Sequence, residues 1–195
     1  AMRQDPDVIL VGEIRDLATI RTAITAAETG HLVFATVHAG DSVGVIERMA
    51  SVFPAEEQDG IRRQMALVMR CIIAQHLVIA DGSHPDAIEP TNNPEQNERR
   101  RRVVVSEILR ITHAVSHLIA SGKSPQIYSA IETGASVGMH TLEQDLAKLW
   151  IGGWITESTA VALSKNPNTV RERARLIRRH STPQRPTASA GRRNQ

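Results

Sequence analysis

The chain has 195 residues, 41% apolar and 23% charged, enough for one domain with a real core, or one domain plus a small annex. Aromatics make up only 3%, which argues against a stacking platform for single-stranded nucleic acid, and the single cysteine, Cys71, excludes an intramolecular disulfide and a cysteine-based zinc site. The net charge of +2 hides an asymmetry: residues 171–195 hold eight Arg and one Glu (+7), while residues 1–170 hold fifteen basic and twenty acidic side chains (−5), so basicity belongs to the tail and does not mark the whole chain as nucleic-acid binding.

Asp5, Pro6 and Asp7 lead into Val8-Ile9-Leu10-Val11, an apolar run bounded by turn formers. That is the pattern of a parallel-sheet strand buried on both faces. Such a strand needs neighbours on both sides, so we expect the C-terminal part of a longer core. Leu17, Ile20 and Ile24 fall at helical spacing, and Gly30 can end that helix. His31 to His38 (HLVFATVH) reads as a second buried strand, completing a βαβ unit and implying an α/β fold. Asp41-Ser42 can cap a helix to about Val52, and Pro54 opens another carrying Met65, Leu67, Val68, Ile72 and Ile73. Residues 81–101 are polar, with three prolines and no apolar period, and read as a long mobile loop. Val103-Val104-Val105 resumes a strand that can pair with Leu77-Val78-Ile79. From Thr112 the spacing is helical, through Ile127, Ile131, Leu142, Leu146 and Leu149 to a last short helix around Ala160-Val161. Residues 181–195 are Pro, Ser, Thr, Ala and Arg and read as a disordered basic tail. No apolar run is long enough for a membrane span, and no signal peptide opens the chain, so the expected compartment is the cytoplasm.

The strongest chemical signal is MRQDPDVILVGEIRD, residues 2–16. A parallel strand there delivers Gly12-Glu13 at its carboxyl end, where open α/β sheets bind ligands. A carboxylate at that place can bind Mg²⁺ through water and orient a water at a nucleotide's γ-phosphate, and Gly12 permits close approach. The plainer alternative is that Glu13 caps the next helix while Arg15 and Asp16 form a surface ion pair. His31 and His38 are seven apart on one strand, so they point to opposite faces and cannot share a metal ion. For His31 alone, a hydrogen bond at a helix end or strand start is the expected role. Gly122-Lys123-Ser124 copies the end of a P-loop, but the position five before Gly122 is His117, and no strand feeds the turn. No other GK[ST] exists in the chain. Cys71, among Met69, Ile72 and Ile73, reads as a buried structural thiol. The run Arg99 to Arg102 reads as a solvated loop base.

Residues 2–16 resemble the Walker B signature of the type II/type IV secretion system ATPases. Thr29 to His38 looks like that family's histidine box. Val52-Phe53-Pro54, Tyr128-Ser129-Ala130-Ile131 and Met139-His140-Thr141-Leu142 most resemble the PilT-type twitching-motility branch. The resemblance covers most of residues 1–165. It implies the C-terminal part of a RecA-like P-loop NTPase core over residues 1–110, a helical C-terminal region over 111–180, and the tail beyond. It implies an ATPase using ATP and Mg²⁺, with Glu13 and His38 as catalytic residues and Gly12, Arg15, Thr36 and His31 around the nucleotide. The partners implied are further copies of the chain in a hexamer and a pilus or secretion platform at the inner membrane, with peripheral membrane contact and no specific nucleic acid. The C-terminal Arg cluster is the segment that would touch anionic lipid. The family's P-loop, acidic box and nucleotide-reaching arginines do not occur in this sequence, so the chain alone is expected to bind ATP poorly. Where retraction ATPases carry AIRNLIRE, this chain has Ala114 to Ser121 (AVSHLIAS), which lacks both Arg and the Glu. A type IV or type II secretion motor and a non-catalytic interaction module are therefore the alternative readings. The missing four-Cys module counts against the type II and pilus-extension branches.

Overall fold

The computed structural model describes residues 6–89 and 100–181. β1 (Val8–Val11) and β2 (Leu32–Ala35) pair in parallel, with Val8 opposite Leu32 and Val11 opposite Ala35. α1 (Leu17–Glu28) makes the crossover. Asp16 caps it, accepting from Thr19 N at 2.8 Å, which satisfies one orphan donor of the first turn. Ile20 and Ile24 lie one turn apart on its inner face and are buried. Gly30 (φ +99°) ends the helix in a backbone region costly for residues with a Cβ.

The expectation of strands buried on both faces is corrected. Side chains alternate across a strand, and α1 covers only the face of Ile9, Val11 and Val33. Val8, Leu10, Leu32 and Phe34 on the opposite face are about half exposed or more, Leu10 at 77%. β2 is also shorter than the eight residues expected: it ends at Ala35, opposite Val11, where its partner β1 ends.

α2 (Ser42–Ser51) and α3 (Ala55–Val68) follow. Glu47 joins them, accepting from Arg62 Nη1 at 2.9 Å and from Nη2 at 2.7 Å, while Ser124 donates to the same carboxylate. α3 ends where Met69 turns extended (ψ 144°), so Ile72 and Ile73 are not helical as expected. They belong to β3 (Cys71–Ile79), which pairs antiparallel with β4 (Arg102–Arg110). The expected contact of Leu77-Val78-Ile79 with the 103–105 run is present, within a longer ladder. Period-2 alternation sends Ile72, Ala74 and Val78 inward and Cys71 outward. Cys71 is therefore exposed, not a buried thiol.

The start of the expected mobile loop is pinned. Gly82 N donates to Trp154 O at 3.0 Å and His84 N to Gly153 O at 2.8 Å, and the His84 ring stacks on Trp154 with centroids 3.8 Å apart. Asp81 accepts from Thr156 N (2.8 Å), Thr156 Oγ1 (2.8 Å) and Thr159 Oγ1 (2.6 Å). The remainder of that loop, 90–99, lies outside the described residues.

The rest is helical: α4 (His113–Ala120), α5 (Pro125–Thr133), α6 (Leu142–Ile151), α7 (Glu157–Leu163) and α8 (Pro167–Ser181). α4 ends with Gly122 N bonded to Ile119 O and Lys123 N to Leu118 O around a left-handed Gly122 (φ +65°). The Gly-Lys-Ser sequence is thus a helix C-terminus, and Ser124 leads into α5 with its proline at the first turn. Thr141 and Gln144 form a reciprocal capping box on α6. α8 falls in the 111–180 stretch expected to be helical, as a further helix after α7, which accounts for the short one expected near Ala160. Its apolar stripe is only Val170, Ala174 and Ile177, set among five arginines. The expected tail beyond Ser181 lies outside the described residues.

Two apolar clusters hold the chain. The first joins α1, α2, α3, α4 and α5 with Ile72 and Leu109 of the hairpin. The second joins α6, α7 and α8 with Val78 and Val105 of the same hairpin. The first cluster thus takes residues from both sides of position 110.

Two consequences can be measured. A Cβ at Gly82 would lie 2.0 Å from Gly153 O, so Gly82→Ala should destabilise the fold by about 2 kcal/mol in a urea melt, through forced backbone displacement. Burial pushes the Asp81 carboxyl up, but the bonds from Thr159 and Thr156 outweigh it and hold the pKa below the ordinary value. A lowered folded-state pKa contributes stability above the unfolded value of about 4, lost as pH falls through the folded one. Asp81→Ala should therefore cost about 1 kcal/mol at pH 7, a figure discounted for partial solvent exposure, and the gap should close in melts at the acid end.

Candidate functional site

The carboxyl ends of β1 and β2 lie side by side because the strands are parallel and in register. The chain leaving β1 is fastened to the chain leaving β2. Ile14 N donates to Thr36 O at 2.9 Å, and Thr36 Oγ1 donates to Gly12 O. Ile14 is 6% exposed and belongs to the first core cluster. With Ile14 turned into the core, its neighbours Glu13 and Arg15 face outward.

There the Glu13 carboxylate bridges two cations or potential cations. Arg15 Nη2 pairs with Oε2, and His38 Nε2 lies 3.3 Å from Oε1. The Glu13 side chain is 22% exposed, against 74% for Arg15 and 79% for His38. The hydrogen-bonded Arg15 guanidinium holds the Glu13 carboxyl below its ordinary value; partial burial opposes this and loses, while His38 and Arg48 add to the lowering. Glu13 is therefore a carboxylate at neutral pH, an acceptor able to orient a water. The plainer alternative, with Glu13 as the helix cap and Arg15 paired to Asp16, is not what forms: Asp16 caps α1 and accepts from Thr19, and Arg15 pairs with Glu13.

Gly12, Glu13, Arg15, Thr36 and His38 come together. His31 does not. It sits at the amino end of β2, roughly 16 Å along the chain from Thr36 at strand rise. Its Nδ1 lies 2.9 Å from Ala26 O and 3.0 Å from Thr29 Oγ1, which closes the end of α1. Among the described residues no group of three or more His, Cys, Asp or Glu could hold a metal ion.

The segment after His38 is also tethered, by residues the sequence did not single out. His76 Nε2 lies 3.2 Å from Gly40 O. Asp41 caps α2 through Gly44 N at 2.5 Å and pairs with Lys165. Ser42 N donates to the buried Glu107 at 2.8 Å. The cap was legible in Asp41-Ser42, whereas His76, Glu107 and Lys165 lie far away in sequence and carry no local signal. A larger cavity of about 340 Å³ between α1 and the parallel strands is lined by aliphatic and Thr side chains and touches none of the Glu13 cluster.

Arg15→Ala should raise the Glu13 pKa toward the ordinary glutamate value, read from the carboxyl ¹³C shift in a pH titration. An unchanged titration would mean that Arg15 does not hold the charge.

Residues 1–149 match the family model described as type II/IV secretion system protein. The chain is 42% identical over 167 residues to the type IV pilus retractation ATPase PilT of Pseudomonas aeruginosa, covering 86% of this chain and 44% of that protein. It is 37% identical over 170 residues to a twitching motility protein of Neisseria gonorrhoeae, covering 87% and 41%. A crystal structure of the pilus retraction motor PilT with bound ADP superposes with a TM-score of 0.71 at 35% identity, covering 87% of this chain and 43% of that one. The chain spans less than half the length of these relatives. With the family model matching three quarters of its residues, the chain belongs to the type II/IV secretion system protein family.

Proposed function

We propose that this chain supplies the water-orienting side of an ATP-hydrolysing motor of the pilus-retraction kind. The observation that carries the reading is Glu13, held ionised between Arg15 and His38 at the carboxyl ends of two parallel strands. Glu13 would accept a hydrogen bond from the attacking water, and His38, exposed beside it, would donate toward phosphate oxygen. Thr36 and Gly12 fix the backbone on which both side chains stand. Arg15 would keep Glu13 charged and, where its guanidinium is freed, reach an anion or a neighbouring copy.

A lone carboxylate fits a water-bridged Mg²⁺ and does not fit a metal cage. Mg²⁺–ATP, when bound, supplies the electrophilic phosphorus. No phosphate-cradling GxxxxGK[ST] occurs in the 195 residues, so the reading applies to the chain together with a Walker A-bearing part. Six copies in a ring and an inner-membrane platform are the partners this reading carries. A second reading, a secretion motor of the same build, is favoured by the stretch from Ala114 in α4 to its C-cap Ser121, which lacks the Arg and Glu side chains of the retraction motif.

The test joins this chain in frame to the Walker A-bearing half of Pseudomonas aeruginosa PilT. Glu13→Gln in that protein should cut hydrolysis by at least about 100-fold while ATP binding persists. The 195-residue chain alone should not hydrolyse ATP. Near-unchanged hydrolysis in the Gln variant would overturn the role of Glu13.

A further inference from the structure

The loop that presents His38 runs from Thr36 to Asp41, and its far end lies beyond the reach of β1 and β2. It is held by His76 of β3 at Gly40 O, by Glu107 of β4 at Ser42 N, and by the linker between α7 and α8. Lys165 in that linker pairs through Nζ with Asp41 Oδ2. The backbone N of the same Lys165 donates at 3.2 Å to Glu143 Oε1. Glu143 is 1% exposed in the first turn of α6 and also accepts from Tyr128 OH at 3.0 Å. The same environment raises the Tyr128 hydroxyl to about 12, first by burial and then by the Glu143 charge, so this phenol remains a donor. Lys165 thus has its backbone fixed to the buried Glu143 of α6 and its ammonium on the His38 loop. A cavity of about 240 Å³ lies beneath it, lined in part by Asp41, Glu107, Ser124, Tyr128 and Lys165 itself. Val37 anchors the near end of the loop on the first core, while the far end, beside this cavity, is placed by polar tethers: Lys165 at Asp41, His76 at Gly40 O and Glu107 at Ser42 N.

We propose that Lys165 is a positioning residue for the Glu13–His38 pair, tying the His38 loop to the C-terminal helical layer. The inference rests on the ATPase reading only for its catalytic consequence. The mechanical link is a property of this chain by itself. Asp41 is three residues from His38, so displacement of the α7–α8 linker is passed directly to the imidazole. An ion pair this exposed, with Lys165 at 62%, contributes little to global stability. Its expected effect is therefore local order and turnover, not the melting point. Asp41 also caps α2, so the side chain to remove is Lys165, and Asp41→Asn is the companion that keeps the cap.

The first arm uses the 195-residue chain. Lys165→Met should speed amide hydrogen exchange at residues 39–41 severalfold and shift the His38 ring resonances, with the midpoint of urea unfolding nearly unchanged. Lys165→Arg should restore both signals. The second arm uses the chain joined to the Walker A-bearing half. There Lys165→Met should lower kcat by about fivefold with KM for ATP unchanged, Asp41→Asn should match it, and the double variant should be no worse than either single. Unchanged exchange and unchanged His38 resonances in Lys165→Met overturn the link. Changed exchange with unchanged kcat, where Glu13→Gln still abolishes turnover, overturns the positioning role. Changed exchange where Glu13→Gln leaves turnover intact upholds the link and instead overturns the ATPase reading.

Discussion

The interaction on which the rest depends is the fastening of two strand ends by Ile14 and Thr36. A four-residue parallel pair is too short to fix the segments that follow it by ladder bonds alone. Here Ile14 N bonds to Thr36 O while the Ile14 side chain is buried in the first core. One residue therefore couples backbone register to hydrophobic burial. A full aliphatic burial is worth on the order of 2 kcal/mol, far more than the exposed ion pairs beside it. The consequence is directional: with Ile14 inside, Glu13 and Arg15 must face out, toward the segment that carries His38. The chemistry of the site follows from a packing constraint.

The β3–β4 hairpin has a comparable role on a larger scale. Its Ile72 and Leu109 end packs into the first core, and its Val78 and Val105 end packs into the second. The two cores are thereby built on one rigid ladder. The α6–α8 layer reaches the His38 segment through the α7–α8 linker, where Lys165 meets Asp41.

How much of this was legible in the sequence depended on range. The Glu13 segment was readable because strand, glycine, carboxylate and arginine are contiguous, and their roles follow from the end of a single strand. The α1 and α2 caps were readable for the same reason. Ile72 and Ile73 were assigned to the preceding helix because an apolar run after a helix fits either period; the alternation that makes them strand is visible only with its partner β4. Residues 81–89 read as loose because they are polar, yet Trp154, Thr156 and Thr159, some seventy residues on, supply what their own composition lacks. The bounds of α8 were obscured by its arginines, although Val170, Ala174 and Ile177 mark a narrow face. The exposed Cys71 and the half-bare β1–β2 sheet went the same way: a hydrophobic run says that burial is available, and the covering element decides which face receives it.

In the proposed reading, Glu13 faces the attacking water of a bound nucleotide. The most direct measurement is a crystal structure of this chain joined to a Walker A-bearing half, with ADP and aluminium fluoride bound as a mimic of the transferring phosphoryl group. The Glu13 carboxylate is expected within hydrogen-bond distance of the in-line water, with His38 beside it. A Glu13 still closed on Arg15, with the water oriented by another side chain, would contradict that reading.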